Sequence, residues 1–548
     1  MTSSTVDTGA ATLAANLGAL PRATALAIRT AADEVLTDAQ GAVVRAAVRT
    51  PDGRLVLVHA PGDPLAAADA LLDQHSDAPL LIVIGIGLGY LLDAIERRGA
   101  STKVLAVEPR AAIARAFLSR RDCRQWITTR RLALLVGPAY ADATEAWRVF
   151  GRTPETPPIV VSPLVRDEFP AEAEAARVAA ARVISGVTAN AAARRKFAGR
   201  YLLNTLTNLP AIVTEGDTGR LTGALRGLPA VIVAAGPSLD RNLPALRLLN
   251  DRAVIVAVDT AVRPLLAAGI DPHVVVSVDP SDINAQHLTG LPRMRFALVG
   301  EGSLHPTVLP EFAGRLFTFR VSDHHPWPWL RQHGCDRGSL QAWGSVLTTA
   351  FDFAIRAGCS PLVFVGADLA YTRGLQYCRN TVYEPRWSHL TTDEARAAEF
   401  KNYLSSKPHT LSPDVHGQPV ITTREFTQFR DWIVARAANA TGCRIYNATG
   451  GGTLHGAAIV QQRLEDIELP GASVTGTVSQ ALAAARDRSE GDAHRSLLDA
   501  LGRDAALPLD EWVDFAGDTA TREDMVQAAA TAAAALADTG ATALRRAR

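Results

Sequence analysis

Four apolar, β-branched runs in the middle of this 548-residue chain each stop at a turn or a carboxylate, and that repetition constrains the fold more than anything else in it. VIVAAGPSLD enters a Gly236-Pro237-Ser238 turn, AVIVAVDTAV ends at Asp259, HVVVSVDPSD ends at Asp279, and LVFVGADLAY ends at Asp368. Runs this short and this apolar predict parallel strands covered on both faces by helices. In open sheets of that kind, ligands bind beyond the carboxyl ends of the strands. The strand ends therefore mark the expected active site.

Composition narrows the class. The 56 Lys+Arg against 56 Asp+Glu leave no net charge, so the whole chain lacks the basic signature of a nucleic-acid binder. No apolar run reaches the ~20 residues of a membrane span, and MTSSTVDTGA does not read as a signal peptide, so a cytoplasmic location is expected. Cys123, Cys335, Cys359, Cys378 and Cys443 have no paired spacing, which argues for free thiols and against a zinc site.

Length and punctuation suggest three regions. Residues 1–170 read as an N-terminal α/β domain, 171–456 as a central domain led by a long helix, and 457–548 as an alanine-rich helical domain. In the first region, VVRAAVRT, Pro51-Asp52-Gly53 and RLVLVHA form a hairpin signal. PLLIVIGIGLGYLLDAIERR followed by KVLAVEPR then reads as strand, glycine turn, helix and strand. Gly85, Gly87 and Gly89, with Glu108 about 20 residues on, suit a nucleotide or methyl-donor pocket; they equally suit close helix–strand packing without a ligand. The leading helix carries Asn190, Arg194, Arg195, Lys196 and Arg200, either a solvated face or a surface toward an anion.

In the central region, Gly236-Pro237-Ser238 precedes a helix whose first N–H groups favour a phosphate, with Ser238 as a further donor or as a plain N-cap. QAWGSVLTT repeats that arrangement with Gly344, Ser345 and Thr348. Asp259 is placed to accept from a ribose or base. Asp279 is placed to do the same, to hold a metal or to act as a base. Asp368 and Tyr371 close the set, the phenol being a donor toward a leaving phosphate. The segment from Thr372 to Pro413, with Tyr377, Tyr383, Trp387 and Tyr403 among Arg373, Arg379 and Arg386, reads either as a lid or as a solvated excursion.

These motifs, with the distal HGQPVITTREFTQFRDWI and YNATGGGTLHG and the N-terminal GIGLGYLL and VLAVEPR, resemble the motility accessory factor (Maf) proteins, bacterial flagellin glycosyltransferases. The resemblance implies a central GT-A-like, Rossmann-type domain similar to bacterial sialyltransferases. It also implies transfer of a nonulosonic acid (pseudaminic or legionaminic type) from a CMP donor to Ser or Thr of flagellin. On that pattern Gly236, Pro237 and Ser238 match the nucleotide turn, Gly344 and Ser345 match a second phosphate-side loop, and Asp368 with Tyr371 match the closing strand. Ala235 replaces the asparagine of the sialyltransferase turn, and TRGLQYCRN lacks the histidine that Maf relatives often carry there. Asp279, His389, His409 and His416 are then the candidates for the base. No cofactor beyond the donor is expected, and the lack of a strand-end D-x-D pair favours a metal-independent reaction.

Two other readings fit the same motifs. The central segment also resembles archaeal hydroxymethylpterin pyrophosphokinases, in which Asp259, Asp279 and Asp368 would gather Mg²⁺ for ATP. A non-catalytic protein that binds a nucleotide sugar or flagellin is the third.

Overall fold

The structure is a computed structural model that describes residues 4–31, 35–40, 43–59, 62–75, 78–138, 140, 157–249, 251–292, 294–321, 324–384, 389–390, 392–405, 408–440, 442–469, 472–486, 491–502 and 507–546. It divides into two compact units, Met1–Ala189 and Asn190–Arg548.

The first unit opens with an antiparallel sheet of β1 (Val35–Gln40), β2 (Val43–Arg49) and β3 (Leu55–Leu57), in which Arg49 faces Leu55 across the turn at Gly53. The hairpin expected there forms. A four-stranded parallel sheet follows, made of β4 (Leu80–Ile84), β5 (Lys103–Glu108), β6 (Leu132–Val136) and β7 (Ile159–Val161) in the order β6-β5-β4-β7. All five residues of β4 are buried, the pattern of a strand packed on both faces.

The second unit holds a nine-stranded, wholly parallel sheet. Its strands are β8 (Gly216–Asp217), β9 (Ala230–Val233), β10 (Val254–Val258), β11 (Val274–Ser277), β12 (Ala297–Glu301), β13 (Leu316–Phe319), β14 (Leu362–Val365), β17 (Ile445–Asn447) and β18 (Val460–Gln461). The spatial order is β18-β17-β14-β9-β10-β11-β12-β13-β8. The chain lays down β9 to β13 in one direction and then returns to add β14 on the other flank of β9. The order therefore reverses between β9 and β14, and there the connections leave on opposite sides and open a crevice at the strand ends. A small antiparallel ribbon, β15 (His409–Pro413) with β16 (Pro419–Thr423), completes the strands.

The domain reading from sequence differs in two respects. The leading helix, Pro170–Thr207, crosses the division: Ala173, Ala176, Ala179 and Ala180 lie in a core of the first unit, Leu202 and Leu206 in a core of the second. The C-terminal helices are not a unit of their own. Leu497, Trp512, Met525 and Leu536 share one core with Leu209, Ile212, Trp327 and Leu330, because each helix has one apolar stripe that needs an outside partner. Among the described residues, no helix is long and apolar enough to cross a membrane.

Candidate functional site

The crevice between β9 and β14 is assembled from four distant segments. The turn after β9 places Ser238 at the start of the helix Leu239–Leu248, where its side chain makes no cap bond to that helix. Its hydroxyl instead donates to Asp368 Oδ1 at 2.7 Å, and its backbone N–H donates to Oδ2 at 3.2 Å. Thr372 donates to the same Oδ1 at 2.6 Å. Asp368 is 1% exposed, and burial raises its pKa from the usual carboxylate value while these donors oppose the rise.

Tight backbone makes this contact possible. A Cβ on Gly236 would lie 2.2 Å from Asp368 Oδ2 and 2.5 Å from the carbonyl oxygen of Gly366. Leu369, directly after the acid, has φ +48°, a left-handed conformation that a leucine adopts only under constraint from its surroundings. The distal glycine segment supplies that constraint. Thr453 N–H donates to Asp368 O at 2.8 Å, and Thr453 and Thr422 hydroxyls both donate to Leu369 O. Gly452, at φ +72°, must be glycine, since a Cβ there would also collide with Asp368 O. The NATGGG segment is thus a wall of the site, as is Arg241. This exposed cation donates to Ser238 Oγ and to Gly450 O, each at 3.1 Å.

One strand over, Asp259 is 1% exposed and fully engaged. Oδ1 accepts from Thr260 N–H at 2.7 Å, and Oδ2 accepts from Ser277 Oγ at 2.7 Å and Asn284 Nδ2 at 3.2 Å. Asp279 is exposed, with Oδ1 accepting from Ser281 N–H at 2.8 Å. The sequence reading missed a further strand-end acid, Glu301 of β12, because glycine interrupts the run ALVGE. Burial pushes Glu301 up to about 7, against hydrogen bonds from the Ser303 hydroxyl and N–H.

The second loop behaves as an N-terminal cap. Ser345 accepts from Leu347 N–H at 3.3 Å, Thr348 donates to Ser345 O at 2.6 Å, and Gly344 has φ +70° with Phe429 packed on it. The helix Val346–Arg356 starts at the ligand edge: it runs into β14, and its far end is bonded at Arg356 O by Gly223 N–H, ahead of β9. Tyr371 is 4% exposed and sits in a ring cluster with Phe400, Tyr403 and Phe426, and burial raises its phenol well above the usual range.

The excursion after β14 folds back over the strand ends. Cys378 N–H donates to Ala235 O at 2.9 Å, and Arg379 N–H to Asp240 Oδ1 at 3.2 Å. Tyr377 stacks on Tyr383 with centroids 4.8 Å apart. Arg386 and Trp387 lie outside the described residues, as do the side chains of Asn190 and Arg194. His389, His409 and His416 are all exposed. A cavity of about 170 Å³, bounded by Thr218, Ser339 and Arg356, lies toward the other end of the helix Val346–Arg356.

Among the described residues, no three His, Cys, Asp or Glu side chains converge to hold a metal. Asp259 and Asp368 each accept several hydrogen bonds from their own neighbours, while Asp279 stands exposed.

The glycine turn of the first unit is built differently. Gly85, Gly87 and Gly89 all have positive φ, but the space beside each is taken: by Ser162 and Val165, by His59, and by Phe117. Glu108 is wholly buried, and burial pushes it up to about 8, with N–H groups of Arg110, Gly87 and Ile86 pulling down. The close-packing alternative describes this turn.

Residues 203–374 match the family model described as 6-hydroxymethylpterin diphosphokinase MptE-like. That stretch contains Gly236, Asp259, Asp279, Ser345 and Asp368. Two proteins of Treponema pallidum (strain Nichols), both described as uncharacterized, are 26% identical to the chain. One match spans 250 residues (45% of this chain, 53% of the relative), the other 213 residues (33% and 54%). The chain thus spans about half the length of the curated relatives it matches. The solved structure of MAf glycosyltransferase from Magnetospirillum magneticum AMB-1 aligns with 97% of this chain and 91% of its own, at 16% identity and a TM-score of 0.44.

Proposed function

We propose that the chain is a Maf-type protein O-glycosyltransferase that moves a nonulosonic acid from its CMP donor to Ser or Thr of flagellin in the cytoplasm. The observation that carries the reading is the convergence at the β9/β14 crevice of the Gly236-Pro237-Ser238 turn, Asp368 and the NATGGG wall, segments singled out by the resemblance. The donor phosphate lies against the exposed Arg241 guanidinium and the start of the helix Leu239–Leu248. Ser238 and Asp368 hold that turn in shape from beneath. Ser345 and Thr348 fix the start of the second helix at the same edge, and Tyr371 with its ring neighbours walls the acceptor side.

Bond breaking places negative charge on one phosphate, which these preorganised donors stabilise without a metal. The exposed Asp279 and the backbone beside Asp259 face the sugar or ribose.

The family description of residues 203–374 favours one alternative, a pterin diphosphokinase using Mg²⁺ and ATP. Calorimetry with CMP, ATP and GTP, each in EDTA and in Mg²⁺, separates the two. CMP binding that persists in EDTA and is lost in Gly236→Val supports the glycosyltransferase. Binding of ATP alone, and only with Mg²⁺, replaces it with the kinase; no nucleotide binding removes both.

A further inference from the structure

Attack by a serine or threonine hydroxyl requires an unprotonated base at the ligand edge of the sheet, and the histidines chosen from sequence are all exposed, two of them at or near the β15/β16 ribbon. Another histidine lies at that edge. His287, in the turn just beyond the short helix Asp282–Ala285 that follows β11, is 1% exposed. Its Nδ1 is buried without a hydrogen-bond partner among the described residues. Buried polar atoms are nearly always paired, so an unpaired one at a ligand edge calls for a function.

The ring's surroundings are specific. Tyr383, the outer member of the Tyr377–Tyr383 stack, meets it edge-on at 5.3 Å. The charged groups around it are Asp259 at the end of β10, Arg263 from the helix Val262–Ala267, and Asp279 at the end of β11. Burial lowers its pKa from the ordinary histidine value, with Arg263 acting in the same direction and the two acids opposing. The imidazole is therefore neutral at physiological pH and able to accept a proton.

We propose that His287 is the base that takes the acceptor's proton, and that Tyr383 covers it until the acceptor enters. This rests on the glycosyltransferase reading above. In the step, the acceptor oxygen forms the bond to the anomeric carbon, and the bond from that carbon to the phosphate oxygen breaks with its electron pair leaving on CMP. The hydroxyl proton passes to Nδ1 of His287. Nothing is oxidised or reduced.

The test uses the full chain with CMP-pseudaminic or CMP-legionaminic acid and unglycosylated flagellin. His287→Phe keeps a ring against Tyr383 but removes the nitrogens. It is expected to melt with the parent protein, to bind CMP with unchanged Kd, and to lose transfer by about 100-fold or more, the usual contribution of a general base. His287→Gln should also abolish the fall in kcat/KM at low pH that a titrating base imposes. A folded His287→Phe protein with transfer within about threefold of the parent would overturn the assignment. Should that variant not fold, an unchanged acid limb in His287→Gln overturns it instead. If the unmodified protein binds CMP yet transfers neither sugar, the glycosyltransferase reading fails first and the role of His287 falls with it.

Discussion

Both units place a glycine turn where their parallel sheet reverses order, β4/β7 in one and β9/β14 in the other, and the two crevices are filled in opposite ways. At β4 the space beside the glycines holds a serine hydroxyl, a methyl group, an imidazole and a phenyl ring of the same unit, and the nearby acid is sealed and held neutral. At β9 the space beside Gly236 holds a hydrogen-bonded carboxylate, with an exposed arginine at its rim. A glycine turn reports that the backbone is crowded. What crowds it decides whether the place is core or site.

The sharpest way to break this comparison is to add one methyl group to each turn. Gly236→Ala must displace Asp368, and a shift of that order at a reacting centre costs about 100-fold in transfer. Gly89→Ala collides with Phe117 at a positive φ and should lower the first unit's stability by ~1–3 kcal/mol while leaving CMP affinity alone. Thermal melts and CMP titrations on both variants check the pair; equal loss of CMP binding would erase the distinction.

Glu108→Gln sharpens the same contrast through pH. The folded carboxyl, at about 8, lies above its ordinary value of 4.5. Its contribution is complete below pH 4.5 and is lost as pH rises through 8. The first unit should therefore weaken with rising pH by an amount on the order of a few kcal/mol, and the glutamine variant should flatten that slope in melts from pH 5 to 9.

Arg241→Gln is expected to weaken CMP binding about tenfold, the scale of one charge-assisted hydrogen bond, with little change in melting temperature. Ser345→Ala removes an N-cap and should cost ~1 kcal/mol of stability. A larger loss in CMP affinity than in stability would show that Ser345 also meets the donor.

Much of the fold is legible in the sequence. The runs ending at Gly236, Asp259, Asp279 and Asp368 are β9, β10, β11 and β14, since side chains buried on both sheet faces leave an unbroken apolar run. β12 escaped because glycine at position 300 breaks that signal just before Glu301. The three-region division followed composition, but alanine-rich helices with one apolar stripe do not reveal which core they will join.

The site divides along the same line. Sequence alone determined that acids and small turns end the strands, because strand length, burial and turn chemistry are local properties of the chain. Tertiary structure decided what those groups do. Strand order brings Ser238 to Asp368 across 130 positions, sets Arg241 and the NATGGG wall beside them, and seals Asp259 with Ser277 and Asn284. Whether an acid or a histidine faces a ligand or a neighbour depends on contacts between segments far apart in the chain, and no local pattern encodes those.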